Sequence, residues 1–216
     1  MALLVAACGS ASTVETLPGE NVGGASTFTV DVWADNWFAL YVNGALVGED
    51  SIPITTERSF NKETFTFDAA YPLTIAIEAR DFKEDDSGLE YIGTDRQQMG
   101  DGGLIAQFFD VNGEMVAATS KTWAALVIHK APTNKDCELS ASPLQECNAQ
   151  TTDLPTDWTS ASFDDSAWEG ASEWSAADVS PKGGYDEVSW HESAYLIWGT
   201  DLESDNTVLL RYSTSG

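Results

Sequence analysis

The stretch ADNWFALYVNGALVG, residues 34–48, decides the fold because an alternating apolar pattern runs into a two-residue turn and a short return strand. In an extended chain, Trp37 and Tyr41 lie on one face and Phe38 lies on the other. Asn43-Gly44 supplies two residues that tolerate positive φ, as a type I′ turn requires. The stretch therefore predicts a β-hairpin.

Compact or alternating apolar runs recur on both sides of this hairpin, and no segment shows a sustained helical period. Asp101-Gly102, Asn112-Gly113 and Lys182-Gly183-Gly184 supply turn residues between the runs. The sequence predicts one all-β domain over residues 26–216, preceded by a lead-in over residues 1–25. The predicted strands lie near residues 26–33, 37–42, 45–48, 63–67, 73–79, 103–109, 115–118, 124–129, 195–198 and 206–212.

Composition sets limits on the partners. The chain has 216 residues, 35 acidic against 10 basic side chains and a formal net charge of −25. Nucleic acids and anionic membranes require basic patches, so both are excluded as expected partners. No segment of the sequence approaches the roughly 18 consecutive apolar residues of a membrane span. The dispersed acidity favours a solvated surface suited to an extracellular or saline setting.

The first residues indicate export. The segment Val5-Ala6-Ala7-Cys8 resembles the lipobox of a bacterial lipoprotein, in which the cysteine is lipidated. The small residues 9–12 offer the alternative of an ordinary signal-peptidase site. Either alternative predicts an extracellular or cell-surface protein, with a lipid anchor at Cys8 in the first.

The remaining two cysteines agree with an oxidising compartment. Cys137 and Cys147 bracket a loop rich in Ser, Pro, Asn and Gln. Their spacing lacks the CxxC character of zinc or redox sites, so a disulfide is the favoured interpretation.

Four segments carry a family resemblance. They are the hairpin of residues 34–48, the passage GGLIAQFFDVNGE with SKTW over residues 102–123, DWTSASFDDSAW at residues 157–168, and the pair LIW and TVLLRY at residues 196–198 and 207–212. Together they resemble galactose-binding-like jelly-roll modules, such as the accessory domains of rhamnosidase-like and family 2 glycoside hydrolases. The resemblance implies a single jelly-roll β-sandwich with a binding or architectural function.

The third of these segments also has a structural interpretation. Trp158, Phe163 and Trp168 are expected to hold a long loop against the sandwich, with Asp164 and Asp165 as turn and capping residues. Catalytic motifs such as GxSxG, HExxH or a Gly-rich phosphate loop do not occur in the sequence. The protein is therefore expected to act without catalysis and to need no cofactor.

Carbohydrate recognition requires exposed aromatic rings with polar groups beside them. The candidates are grouped at the corner between two strands and in two later loops. They are Trp33, Asp35, Asn36, Trp37, Trp174 and Trp190. Core or rim packing is the alternative for each tryptophan.

Metal binding is a separate hypothesis. His129 and His191 are the only histidines, and a copper or zinc site would need them to meet with a third donor, for which Asp186, Glu187 and Glu192 are candidates. The acidic loop of residues 81–88 is a milder candidate for structural calcium. The alternatives are separate polar histidines and a solvated loop.

The sequence thus predicts an exported, non-catalytic surface module for glycan or matrix recognition. A structural subunit of an extracellular assembly or filament is the alternative, with the loop of residues 131–156 reaching a neighbouring copy.

Overall fold

The computed structural model describes residues 24–56 and 58–214, and the described chain is mostly β. Its strands, in chain order, are β1 Ser26–Asp35, β2 Trp37–Val42, β3 Ala45–Glu49, β4 Lys62–Ala69, β5 Thr74–Arg80, β6 Leu89–Glu90, β7 Gln98–Met99, β8 Gly103–Asp110, β9 Met115–Ala118, β10 Ala124–Lys130, β11 Gln150–Thr151, β12 Glu169–Gly170, β13 Ser172–Trp174, β14 Leu196–Trp198 and β15 Asp205–Ser213. Short helical turns cover Lys135–Leu139, Pro143–Glu146, Ala176–Val179 and Tyr185–Glu187.

The strands form two large antiparallel sheets. One has seven strands in the order β11-β10-β15-β5-β2-β3, with β12 also pairing with β10. The other has six strands in the order β13-β14-β8-β1-β4, with β9 pairing with β8. The short strands β6 and β7 pair with each other. All pairings are antiparallel, which confirms the predicted all-β class.

The predicted hairpin is confirmed. β2 pairs with β3, with Val42 opposite Ala45. Asn43 and Gly44 have φ values of 51° and 83°, the positive values that the turn requires. Phe38 on the inner face is fully buried, whereas Trp37 and Tyr41 on the outer face are half-buried. The alternation in the sequence thus assigned the two faces correctly.

One apolar core joins the two sheets. Val30 and Val32 of β1, Ile75 and Ile77 of β5 and Phe108 of β8 are fully buried in the same cluster. All ten predicted strands are present, with ends that differ by a few residues. The prediction missed five short strands, β6, β7, β11, β12 and β13, because in these segments of two or three residues no compact apolar run or alternation marks a strand.

The loop of residues 157–168 covers part of the outer face of the seven-stranded sheet. Trp158 is buried in a cluster with Ala76 and Leu209 of that sheet, and Phe163 and Trp168 pack against it half-buried. This confirms the expected packing role of the three aromatic residues. Asp164 caps a turn by accepting a hydrogen bond from the Ser166 amide, with 3.0 Å between donor and acceptor.

The predicted disulfide is also confirmed, since Cys137 and Cys147 are bonded. Both are buried beside Leu89 in a small separate apolar cluster. The disulfide therefore anchors the end of a loop that contributes little to the main core. Among the described residues, no helix is long and apolar enough to cross a membrane. The predicted lipidation site, Cys8, lies outside the described residues.

Candidate functional site

Several strand ends converge at one end of the sandwich, which we call the acidic end and define by Asp35, Asp81, Asp101 and Asp205. β1 ends at Asp35, opposite Gly103 at the start of β8. β5 ends at Arg80, which pairs with Trp37 on one side and Thr207 on the other. The antiparallel register therefore brings segments far apart in the sequence to the same place.

Three of these carboxylates form a cluster. Asp35, Asp81 and Asp101 each place one oxygen within 4.8 Å of the others. The Lys182 ammonium lies 2.8 Å from Asp101 Oδ2 and 3.7 Å from Asp35 Oδ2. The fourth acid, Asp205, is separately compensated, since it accepts from Lys130 at 2.8 Å and from the Asp201 amide at 3.0 Å.

Burial dominates the electrostatics of the cluster. It raises the pKa of Asp35 well above its usual value, with the neighbouring charge of Asp101 adding to the effect and Lys182 opposing it. Burial likewise raises the pKa of Asp81, and Asp35 and Glu90 add to the rise. These carboxylates are therefore held where their charged forms are poorly solvated.

A cavity of about 410 Å³ opens beside the cluster. We call it the cationic pocket and define it by its lining, which contains three cations and two acids: Asn36, Arg58, Phe60, Glu90, Tyr91, Arg96, Gln98, Asp101 and Lys182. Arg96 lies 4.2 Å from the Tyr91 ring centroid, and Arg58 and Lys182 lie 5.6 and 4.7 Å from that of Phe60. Cationic groups stacked on aromatic rings form much of its wall.

A second cavity of about 570 Å³ lies over the outer face of the seven-stranded sheet and includes Glu78, Arg80 and Lys83. Its cations are already paired, because Arg80 donates to Glu78 at 2.7 Å and Lys83 donates to Asp86 at 2.7 Å. The Arg80 guanidinium also lies 4.9 Å from the Trp37 ring centroid. In the cationic pocket Lys182 is likewise paired, with Asp101, but among the described residues Arg58 and Arg96 form no salt bridge. The cationic pocket therefore offers an anionic ligand more unpaired positive charge than this groove does.

The predicted carbohydrate-binding corner is mostly buried. Trp33 is 0% exposed, and its indole N–H donates to the carbonyl oxygens of Phe60 and Gly183, each at 3.0 Å. A ring without an exposed face cannot stack on a sugar, so the assignment of Trp33 as a binding platform is corrected to a core residue.

The two polar residues of this corner also serve the structure. Asn36 is 1% exposed, and its side-chain oxygen accepts from the Phe82 amide at 2.6 Å, which fixes the chain after β5. Asp35 belongs to the buried carboxylate cluster. The assignment of Asp35 and Asn36 as carbohydrate-binding residues is therefore corrected to a structural role.

The other predicted tryptophans are half-buried but lie on different elements. Trp37 begins β2, Trp174 ends β13, and Trp190 lies in the loop before β14. Trp174 donates to the Gly199 carbonyl at 3.2 Å and Trp190 to the Tyr185 carbonyl at 3.0 Å. Trp174 and Trp190 pack against the same buried cluster as Trp33, whereas Trp37 lies on the seven-stranded sheet.

The two histidines have separate surroundings. His129 Nδ1 is 2.9 Å from Asn206 Oδ1 on the seven-stranded sheet, whereas the His191 amide donates to Gln107 on the six-stranded sheet. Within the described part of the chain, the one group of three metal-ligating side chains contains neither histidine. The copper or zinc alternative therefore has no supporting group of three ligands among the described residues.

The acidic loop of residues 81–88 is divided between two roles. Asp85 accepts from the Ser87 amide at 2.8 Å, and Asp86 pairs with Lys83. Asp81 alone of this loop enters the buried cluster. The acidic side chains of this loop therefore do not converge on a calcium site of their own.

Sequence reasoning missed Asp101, Lys182, Arg58 and Arg96. Asp101 and Lys182 lie in segments that the sequence predicts only as turns. The stacking of each arginine on an aromatic ring left a weak local signal in Arg58-x-Phe60, but Arg96 lies five positions from Tyr91. Their convergence depends on loops that are distant in the sequence.

Comparison with protein-family models finds no matching family, and neither curated proteins nor solved structures give a match. The resemblance to galactose-binding-like modules rests on the sequence segments.

Proposed function

We propose that this chain is an exported, non-catalytic recognition module with a galactose-binding-like jelly-roll fold, and that it binds an acidic glycan in the cationic pocket. The supporting observation is the concentration of positive charge there. Three of the 10 basic residues of a chain with net charge −25 line this one cavity, together with the acids Glu90 and Asp101. Lys182 is paired with Asp101, so the charge open to a ligand is that of the two arginines. Such a distribution favours a local site for a carboxylate or sulfate group.

The chemistry of the pocket suits such a group. Within residues 24–56 and 58–214, Arg58 and Arg96 form no salt bridge. A guanidinium has a planar set of donors that pairs with carboxylate or sulfate through two hydrogen bonds at once. Gln98, which donates to Glu90 at 2.9 Å, adds a polar group suited to sugar hydroxyls.

The dimensions are also suitable. A volume of about 410 Å³ falls within the ordinary range of small-molecule sites, roughly 300–1,000 Å³. One or two sugar rings fit a site of this size. The buried disulfide supports an oxidising compartment, in which such glycans are encountered.

The test is a glycan array that includes uronic-acid and sulfated oligosaccharides, followed by calorimetry on the best ligand. The double variant R58A/R96A should weaken binding at least about tenfold, since two charge-assisted contacts are lost. Both side chains are exposed, so the fold should persist. Lys121→Ala is the matched control, because it removes an exposed positive charge elsewhere. Binding unchanged in the double variant, or weakened equally in the control, would reject this site.

Self-assembly is a second candidate, supported by a different observation. Leu139, Leu144 and Leu154, all on the loop of residues 131–156, are 86%, 55% and 54% exposed. Exposed large apolar side chains favour contact with another protein surface. Light scattering of the native chain and of L139S/L144S would test it. A monomer at all concentrations would eliminate this candidate.

A further inference from the structure

The three clustered carboxylates of the acidic end come from three separate segments. Asp35 is the last residue of β1, Asp81 follows β5, and Asp101 precedes β8. The Asp81 amide donates to the Asn206 carbonyl at 2.9 Å, which holds this position against β15. Because each acid is adjacent to a strand end of the packed sandwich, the positions of all three are set by the sheets.

Gly100 permits an unusually close approach. A Cβ atom at this position would lie 1.7 Å from Asp81 Oδ2, so the side chain of any other residue would collide with the carboxylate. The absence of a side chain lets the backbone pass over Asp81 and carry Asp101 into the cluster.

The two inner carboxylates lack partners that would account for their burial. Asp35 is 0% and Asp81 2% exposed, and all four of their carboxylate oxygens are buried without a hydrogen-bond partner. The 3.7 Å separation between Lys182 and Asp35 is too long for a hydrogen bond. Among the described residues, no salt bridge includes Asp81. Buried carboxylates are ordinarily paired or bound to a metal.

We propose that Asp35, Asp81 and Asp101 form a binding site for a divalent cation of the calcium type. Two oxygens that each lie about 2.4 Å from one ion are at most about 4.8 Å apart, so the observed spacing of the three carboxylates is compatible with a shared ion. The donors are all oxygens, which favours calcium over zinc or copper. Lys182 compensates one negative charge of the three, and a divalent ion would compensate the other two.

This assignment differs from the acidic-loop hypothesis in its ligands. Asp35 and Asp101 lie outside residues 81–88, and the exposed Asp86 of that loop is paired with Lys83. Since the three segments meet only in the folded sandwich, the ion should bind the folded chain and stabilise it by mass action. The proposal does not depend on glycan binding.

The experiment measures thermal unfolding and calorimetric binding of the full chain after treatment with a chelator. Calcium at up to about 10 mM, which covers the affinities of extracellular calcium sites, should raise Tm with saturable binding near one ion per chain. Magnesium at the same concentration should have a smaller effect. Sodium chloride at matched ionic strength controls for general screening of a chain with net charge −25.

The variants Asp81→Asn and Asp101→Asn should each weaken calcium binding at least about tenfold, since each removes a charged ligand. Asp86→Asn, from the same acidic region, is the matched control and should bind like the native chain. The side chain of Asp101 is 36% exposed, so Asp101→Asn should fold even if Asp81→Asn does not. An unchanged Tm in calcium, an equal response to magnesium or sodium chloride, or equal weakening in Asp86→Asn would each overturn the proposal.

Discussion

Replacing Arg211 by methionine tests how the loop of residues 157–168 is held against the seven-stranded sheet. Arg211 lies on β15 and is 2% exposed. Its guanidinium donates to Asp165 at 2.8 Å, to the Ser160 carbonyl at 3.2 Å and to the Trp158 carbonyl, and lies 5.1 Å from the Phe163 ring centroid. Methionine retains much of the apolar stem but none of these donors.

The loss of stability in Arg211→Met depends on the acceptors that remain buried and unpaired. Removing one partner of a buried ion pair costs about 3–5 kcal/mol, because the other groups remain desolvated and unpaired. The Asp165 side chain is 35% exposed and water can reach it, so we expect the lower end, about 3 kcal/mol. Asp165→Asn keeps an acceptor and should cost about 1 kcal/mol.

The assay is urea unfolding of the native chain and the variants, read as the change in free energy of unfolding at a constant m-value. Arg80→Met is the matched control, because Arg80 is 40% exposed and pairs with Glu78 on the same sheet. Its loss should cost less than about 1 kcal/mol. If Arg211→Met is no more destabilising than Arg80→Met, the loop is held by its aromatic residues alone and this reasoning is refuted.

Three other perturbations have expected outcomes. Asp50 is 4% exposed with one oxygen unpaired, and burial raises its pKa to about 6, so its charged form destabilises the fold above that pH. Asp50→Asn should therefore raise the free energy of unfolding by about 1–3 kcal/mol at pH 7 and change it little at pH 4, as measured by urea unfolding at both pH values. Burial, together with Lys83, lowers the pKa of His129, so the stability of the fold should fall as pH drops below 6.5. His129→Gln should flatten this dependence of Tm on pH, whereas replacing the exposed His191 by Gln should leave it unchanged. Gly44→Val forces a β-branched residue to a φ of 83° and should cost about 1–2 kcal/mol; an unchanged Tm would contradict the turn geometry.

The amino-acid sequence by itself determined the local features of this protein. The alternation of residues 37–42 assigned the faces of β2, Asn43-Gly44 specified the turn, and ten of the fifteen described strands followed from apolar runs between turn residues. Each of these signals depends on neighbours within a few positions, where backbone preferences and side-chain alternation act directly. The disulfide could also be predicted from the sequence, because two cysteines in one short loop have few alternative partners.

The tertiary structure decided the candidate site. Trp33 and Trp37 lie four positions apart, yet the first is fully buried and the second half-buried, because the segment of Gly183 and Tyr185 packs against the Trp33 indole. The convergence of Asp35 with Asp81 and Asp101 arises from the antiparallel register of strands that are distant along the chain. Burial and charge proximity depend on all elements packed around a residue, so only the assembled sandwich separates these carboxylates from the many solvated ones.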